Sequence, residues 1–427
     1  MNVLLLGSGA REHAIAWKLS QSPKLTNLFV APGNPGTASL ATNLPIDADD
    51  FDEIVRVCKQ RRIDLAVVGS EDPIAAGLVD RLTVEGIAAF GPTKDAAQIE
   101  SSKVFAKELM SRHGIPTAPF GIFDHESEAR AYIDAAEGSL VVKADGLARG
   151  KGVIVTDSKE SAQDAVTRIM RDRAFGAAGD RVVIEQRLFG PEVSAHAFTD
   201  GKTVAHMPFS CDHKPIFDGD EGPNTGGMGA YSPPGWLDPA GEARVRSEVT
   251  ETAIKAMFDE GRPYKGVLYP GVLCDSSGLM VLEFNCRFGD PEAQVLFPRL
   301  ESDLLEALWA VANNTLAGVD LRWSDHACVG VVLASGGYPG SYETGLPIDG
   351  LEDLDPDVIV FHAGTAEGDD GRLVTAGGRV LTVSALGPDL EAARNKAYAN
   401  VERIRFDGMH YRRDIGARAV GTTAAGT

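Results

Sequence analysis

The first hundred residues alternate short apolar runs with amphipathic segments. Asn2–Leu6 is an apolar run stopped by glycine and reads as a buried strand. From Ala10 to Gln21 the apolar positions Ala14, Ile15, Trp17 and Leu19 fall at helical spacing. Asn27–Ala31, Asp64–Gly69 and Ile87–Phe90 repeat the strand pattern, and Phe51–Arg62 sets Ile54, Val55 and Cys58 on one face of a charged helix. Strand and helix in this rhythm predict parallel pairing and an open α/β sheet.

Beyond residue 100 the pattern changes. Lys103–His113 predicts a helix, followed by a proline-broken link, Ile115–Pro119. Ser139–Lys143, Gly152–Val155, Arg181–Glu185, Glu192–Phe198 and Thr203–His206 predict strands, and turn sequences at 200–202 and 275–278 join antiparallel neighbours. This stretch reads as α+β. Gly222–Pro233 (GPNTGGMGAYSP) shows no periodicity, and such a loop is usually functional or disordered. From Asp325 onward, Cys328–Ala334, Val358–His362 and Arg379–Ala385 predict strands and Leu390–Ile404 a closing helix. Residues 417–427, small and polar, predict a disordered tail.

The chain has 427 residues, 44% of them hydrophobic, which is ample for more than one core. Lys and Arg number 41 against 61 Asp and Glu, a net charge of −20. That balance argues against nucleic acid as a partner and leaves a phosphorylated metabolite at a local basic site open. Five cysteines stand singly, with no CxxC, which fits a reducing cytoplasm rather than zinc or disulfides. MNVLLLGSGAREH lacks the basic segment of a signal peptide, and the longest apolar run, Ala327–Ala334, is too short to span a membrane. A soluble cytoplasmic protein is expected.

Several stretches carry chemistry. GSGAREHA (Gly7–Ala14) follows a strand and opens a helix, an arrangement suited to a phosphate held by loop amides and Arg11, or to a tight turn with no ligand. Glu12 stands where a dinucleotide fingerprint needs its third glycine, and no acidic residue ends the second strand, so a dinucleotide is disfavoured. Glu71, after the third strand, suits sugar hydroxyls or stabilises a helix start. Lys143–Val153 (KADGLARGKGV) joins two strands through a lysine- and glycine-rich anion clamp that departs from the Walker pattern at Gly152. In VLEFNCRFGDPE (Val281–Glu292), strand alternation puts Glu283, Asn285 and Arg287 on one face together with Val281, leaving Leu282 and Phe284 for the core. Glu283 and Asn285 are hard oxygen ligands of the kind Mg²⁺ takes beside phosphate. The plain alternative is a half-exposed strand with a Glu–Arg surface pair.

GSGAREHA, KADGLARGKGV, HKPIFDGDEGPNTGGMGAYSP, RFGDPEAQ, FHAGT and the closing YRRDIG (Tyr411–Gly416) occur in that order. With them the chain resembles, over almost its whole length, the phosphoribosylamine–glycine ligases of the ATP-grasp superfamily. The resemblance implies an open parallel α/β domain over 1–102 and a two-lobed ATP-grasp domain over 103–320 with a mobile lid at about 119–190. A small α+β domain over 325–416 and the tail at 417–427 would follow.

The resemblance also implies roles. ATP would be bound by Lys103, Lys143, Gly150, Lys151, Gly152, Glu185, Leu188 and Glu192. Glu283 and Asn285 would hold Mg²⁺ or Mn²⁺. Gly9, Arg11, Glu71, Arg287 and Asp290 would bind substrate, and Asp212, Lys214, Asn224 and Arg287 would be catalytic. The implied reaction joins glycine to 5-phosphoribosylamine with ATP in purine synthesis, through glycyl phosphate, in a monomer with no nucleic-acid or membrane partner. Pro270 stands where many ATP-grasp enzymes carry a further metal carboxylate, which leaves metal number open, and Arg149 replaces a small loop residue. Alternatives are another ATP-grasp ligase or carboxylase, a non-catalytic nucleotide-binding regulator, and a dehydrogenase.

Overall fold

The computed structural model describes residues 1–148, 152–275 and 278–420. Its first sheet is parallel, in the order Thr42–Asn43, Asn27–Pro32, Asn2–Gly7, Leu65–Val68, Ala88–Phe90. Val3, Leu4, Leu5 and Leu6 are fully buried, because helices cover both faces of a parallel sheet. The strand order reverses between Asn2–Gly7 and Leu65–Val68, so the loops leaving these two strands border a crevice suited to a ligand. The helices Ala10–Leu19 and Glu71–Ala76 start there. The two-residue strand Thr42–Asn43 has too few positions to show a pattern in the sequence.

The helix Lys103–His113 follows, capped by the Ser102 hydroxyl on the Phe105 amide and ended by Gly114 at φ +67°. Next comes a four-stranded antiparallel sheet, ordered Phe120–Phe123, Val182–Gln186, Leu140–Ala144, Val153–Val155. It has its own core, in which Ala129, Ile133, Ala162 and Val166 of two helices meet Val142 and Ile184. A second antiparallel sheet centres on Gly266–Asp275. Glu192–Ser194 and Ala197–Thr199 pair in succession along one edge, and Gly278–Asn285 along the other. The single strand expected over Glu192–Phe198 is therefore two.

The third sheet departs most from the sequence reading. Its order is Cys211–Asp212, Gly229–Ser232, Ala327–Ala334, Arg379–Gly387, Val358–His362. Its first two strands come from the middle of the chain, and Gly229–Ser232 lies inside the stretch read as an aperiodic loop. Glu221–Asn224, overlapping the start of that stretch, pairs with Pro215–Phe217 in a separate two-stranded ribbon. One continuous core joins Leu6 of the first sheet, Val281 of the second, Val329 of the third and Ile404 just beyond the helix Leu390–Val401. The expected tail is described only as far as Val420. Ala417 and Ala419 continue in hydrogen-bonded turns, and Ala419 is buried, while residues 421–427 lie outside the described set. Among the described residues no helix is long and apolar enough to cross a membrane.

Candidate active site

The strand Gly278–Asn285 carries a β-bulge. Gly271 pairs with Glu283 but Val272 pairs with Val281, so Leu282 is the extra residue. The bulge corrects the simple alternation. Val281, expected beside Glu283, is fully buried in the core with Leu279 and Phe284. Leu282, expected inside, is only half-buried, and its carbonyl accepts from Lys143 Nζ at 2.9 Å. Beyond the bulge Glu283 and Asn285 share the other face. A Cβ on Gly271 would stand 3.0 Å from Glu192 Oε1 and 3.7 Å from Glu283 Cγ, so these carboxylates converge over a strand position kept bare.

Burial would raise the Glu283 carboxyl, but Lys214, Lys143, Lys103 and Arg287 together hold it below its usual range. Each of the four is bonded elsewhere: Lys143 to Glu185, Lys214 to Glu192, Arg287 to Glu71 and Lys103 to the Gly146 carbonyl. Among the described residues Glu283 therefore has no ion-pair partner of its own, although positive charge surrounds it. Asn285 gives its Nδ2 to the Tyr269 carbonyl at 3.4 Å, and its Oδ1 takes no hydrogen bond from the described residues. Among the described residues no group of three or more His, Cys, Asp or Glu could hold a metal. One carboxylate and one amide oxygen fit a hard cation that completes its shell with phosphate oxygens and water.

The lysines surround this floor. Lys143, at the end of a buried strand, reaches Glu185 Oε1 at 2.5 Å. Lys107 pairs with the other Glu185 oxygen and donates to Thr117 Oγ1 at 2.6 Å. Burial drops the Lys107 ammonium to about 8, against the pull of Glu185. Lys103 is also lowered by burial, and its Nζ donates to the Gly146 carbonyl at 2.9 Å. Asp145 pins the root of the glycine-rich loop: its Oδ1 accepts from Ser102 Oγ and the Val104 amide, and Arg181 lies 2.6 Å from its Oδ2. Gly152, at the loop's far end, gives its carbonyl to the Ala144 amide at 2.9 Å. Gly150, Lys151 and Arg149 lie outside the described residues.

Glu185, expected at an adenine edge, also has a structural part. Its side chain is a buried counter-ion for two lysines, and its backbone lies in the sheet opposite Phe120 and Val141. Leu188 is half-buried in the connection between the two antiparallel sheets. Lys107 and Asp145 escaped the sequence reading. Lys107 had a signal, since it lies one helical turn from Lys103 on the same face.

At the crevice of the parallel sheet, Arg287 Nε donates to Glu71 Oε2 at 2.9 Å, and Glu100 stands 3.8 Å from its Nη2. Burial would raise the Glu71 carboxyl, but Arg287 and then Arg11 pull it well below its usual range. Arg11 is buried. Its Nε donates to Glu12 Oε1 at 2.6 Å and its Nη1 to the Phe288 carbonyl at 3.3 Å. Glu12 Oε2 in turn accepts from the Gly9 amide at 2.8 Å. Arg11 and the Gly9 amide are therefore already engaged, by a carboxylate the sequence reading treated only as a missing glycine. Beside them lies a cavity of about 460 Å³, lined among others by Gly7, Ser8, Gly9, Glu12, Asp47 and Ser70.

The remaining predicted residues cluster around the third sheet. Lys214 pairs with Glu192, which is thereby engaged by a lysine. Burial works against the Lys214 charge, but Glu192, Glu283 and Asp212 raise its pKa. Burial pushes the Asp212 carboxyl well above its usual range, with Glu292 adding to it, and Asp212 Oδ1 has no hydrogen-bond partner among the described residues. Asp290 accepts from Gln294 and from Arg379, a residue with no sequence signal. Asn224 is exposed on the ribbon, opposite Pro215, and is not brought into the cluster.

The chain is similar to known proteins over nearly its whole length. Models of the phosphoribosylglycinamide synthetase N domain, ATP-grasp (A) domain and C domain match residues 1–100, 101–293 and 328–418. The chain is 46% identical over 424 residues to the phosphoribosylamine–glycine ligase of Halalkalibacterium halodurans, covering 99% of this chain and 98% of that one. It is 51% identical over 423 residues to the trifunctional purine biosynthetic protein adenosine-3 of Gallus gallus, covering 98% of this chain and 42% of that longer one. The crystal structure of phosphoribosylamine–glycine ligase from Thermotoga maritima matches with a TM-score of 0.84 at 35% identity, over 97% of this chain and 100% of that chain. The chain belongs to the phosphoribosylamine–glycine ligase family.

Proposed function

We infer that this chain ligates glycine to 5-phosphoribosylamine, with ATP cleaved to ADP and phosphate, as a monomeric cytoplasmic enzyme of purine biosynthesis. The observation that carries the reading is Glu283, a carboxylate with no ion-pair partner among the described residues, which Lys214, Lys143, Lys103 and Arg287 hold below its usual range. Such a floor suits phosphoryl transfer, in which charge neutralisation and positioning supply the catalysis. The γ-phosphoryl group passes to a glycine carboxylate oxygen and ADP leaves. The amine of phosphoribosylamine then attacks the acyl carbon, phosphate departs, and the nitrogen loses one proton.

Glu283 and Asn285 would hold a divalent cation, Mg²⁺ or Mn²⁺, which when bound neutralises charge on the transferring group. Lys143 and Lys103, with Gly152 at the exit of the loop, would face the ATP phosphates, and the Leu188 connection the adenine. Lys107 and Glu185 hold Lys143 in place beneath them. Arg287 would orient the glycine carboxylate. The cavity at Ser8, Gly9 and Ser70, with Glu71 beside it, would take phosphoribosylamine.

The test is ADP formation by the purified protein with each substrate omitted in turn. Turnover that needs both glycine and phosphoribosylamine supports the reading. Turnover with formate or bicarbonate in place of glycine assigns the chain to another ATP-grasp reaction, and none with any of them removes the enzymatic reading.

A further inference from the structure

One arginine enters the site from the third sheet. Arg379 opens the strand Arg379–Gly387. Its Nη1 donates to the carbonyls of Gly226 at 2.5 Å, Gly227 at 3.4 Å and Asp290 at 2.9 Å, and its Nη2 donates to Asp290 Oδ2 at 2.9 Å. The turn it grips is tightly seated. Gly227 has φ +107°, and a Cβ there would lie 2.3 Å from Pro291 Cδ and 2.6 Å from Asp212 Oδ1. Asp290 is fixed on its other oxygen by Gln294 Nε2 at 2.6 Å. Its Oδ2 lies 3.7 Å from where a Cβ on Gly9 would stand, at the mouth of the crevice in the parallel sheet.

A single planar guanidinium therefore ties together the Gly226–Gly227 turn and the Asp290–Pro291 loop, and holds Asp290 close to the glycine loop of the first sheet. Four acceptors on two segments match the fork geometry of arginine, which the single point charge of lysine cannot bridge. The phosphate-facing lysines stand apart from this network, on Lys103–His113 and Leu140–Ala144.

We propose that Arg379 is a positioning residue for the acceptor half of the reaction, holding the Gly226–Gly227 turn and the Asp290 carboxylate so that the amine reaches the acyl carbon before water does. This rests on the ligase reading above. If the amine is misplaced, water attacks glycyl phosphate instead, and glycine and phosphate are released with no amide bond formed. Loss of Arg379 thus lowers the amide made per phosphate released, which a merely structural loosening does not.

The experiment measures glycinamide ribonucleotide and phosphate in the same reactions for wild type, Arg379→Met and Arg379→Lys, with ADP affinity by calorimetry. Amide formation in Arg379→Met is expected to fall roughly ten- to a hundredfold, the scale on which small misplacements act. Its phosphate release falls less, and its ADP affinity stays the same. Arg379→Lys falls between, and added guanidinium restores part of the coupling in Arg379→Ala. A wild-type ratio of amide to phosphate in Arg379→Met overturns the proposal, as does a loss of ADP affinity in step with amide formation. Should Arg379→Met fail to fold, Arg379→Lys decides by the same ratio. Absence of amide formation in the wild type itself refutes the ligase reading rather than the role of Arg379.

Discussion

Lys143 Nζ lies 2.5 Å from Glu185 Oε1, both side chains buried, and the second Glu185 oxygen is taken by Lys107. Two cations on one carboxylate leave a net positive charge beneath the site, held by a group that cannot leave. The nucleotide phosphates would then meet a Lys143 already fixed in place, with its other hydrogen bond to the Leu282 carbonyl of the bulge.

This arrangement makes Lys107 a support rather than a ligand. Lys107→Met leaves Glu185 paired with Lys143 alone and removes one hydrogen-bonding partner of a buried carboxylate, a loss of about 1–3 kcal/mol. Chemical denaturation should show a loss on that scale, and ADP affinity should fall as Lys143 shifts toward Glu185. A variant as stable as wild type, within about 0.5 kcal/mol, would mean the triad adds nothing to the fold.

Glu283→Gln tests the metal floor. The substitution keeps size and removes the charge, so the fold should persist while turnover falls by two or more orders of magnitude, roughly 3 kcal/mol or more at 1.4 kcal/mol per tenfold. The metal concentration for half-maximal rate should rise at the same time. Near-normal turnover at ordinary Mg²⁺ would return Glu283 to a plain strand residue.

Much of this was legible in the chain. The parallel sheet could be read because its strands are continuous apolar runs separated by helical spacing, and Glu283, Asn285 and Lys143 because they break apolar strands at their ends. The bulge at Leu282 was not, since an inserted residue alters the partner register without altering the apolar pattern. Gly229–Ser232 has no alternation of its own and becomes a strand only by pairing with Ala327–Ala334, about a hundred residues later. Arg379 begins an ordinary strand, and its partners Gly226 and Asp290 are distant in sequence. Glu12 was read for the glycine it replaces, and its bonds to Arg11 and Gly9 depend on how the loop folds back.

Three histidines give the fold a pH limit. Burial drops His13 and His196 to about 3 and His362 to about 4, from a usual 6.5. The geometry agrees, since His13 Nδ1 accepts from the His362 amide at 2.8 Å and His196 Nε2 accepts from the Gly289 amide at 3.0 Å, and a protonated nitrogen can do neither. Below pH 6.5 the unfolded chain binds protons that the folded chain refuses, so stability is full above that value and falls as pH drops toward 4. Each histidine should remove about 2 kcal/mol between pH 7 and 5. Denaturant titrations of His13→Gln over that range should show a slope shallower by this amount. Equal slopes in the variant and wild type would mean His13 titrates normally in the folded protein.

Arg11→Ala separates anchoring from substrate binding. Arg11 is buried, pairs with Glu12 and reaches the Phe288 carbonyl on the loop that carries Arg287. Its removal leaves the Glu12 carboxylate buried with only the Gly9 amide, a loss of about 3–5 kcal/mol in stability if Arg11 is an anchor. On that account the folded variant keeps its phosphoribosylamine specificity constant to within about threefold, because the guanidinium was never free to meet a phosphate. A phosphate ligand gives the reverse pattern: a stable variant whose specificity constant drops roughly ten- to 150-fold, the loss of one charge-assisted hydrogen bond of about 1.5–3 kcal/mol. Arg11→Lys sharpens the contrast, since a lysine restores the charge beside Glu12 but cannot also span to Phe288. Thermal melts and steady-state kinetics on both variants, taken well below the melting range, decide the matter. We expect the stability loss, with Arg11→Lys recovering part of it, and a selective kinetic loss in a fully stable Arg11→Ala would place the phosphate on Arg11 after all.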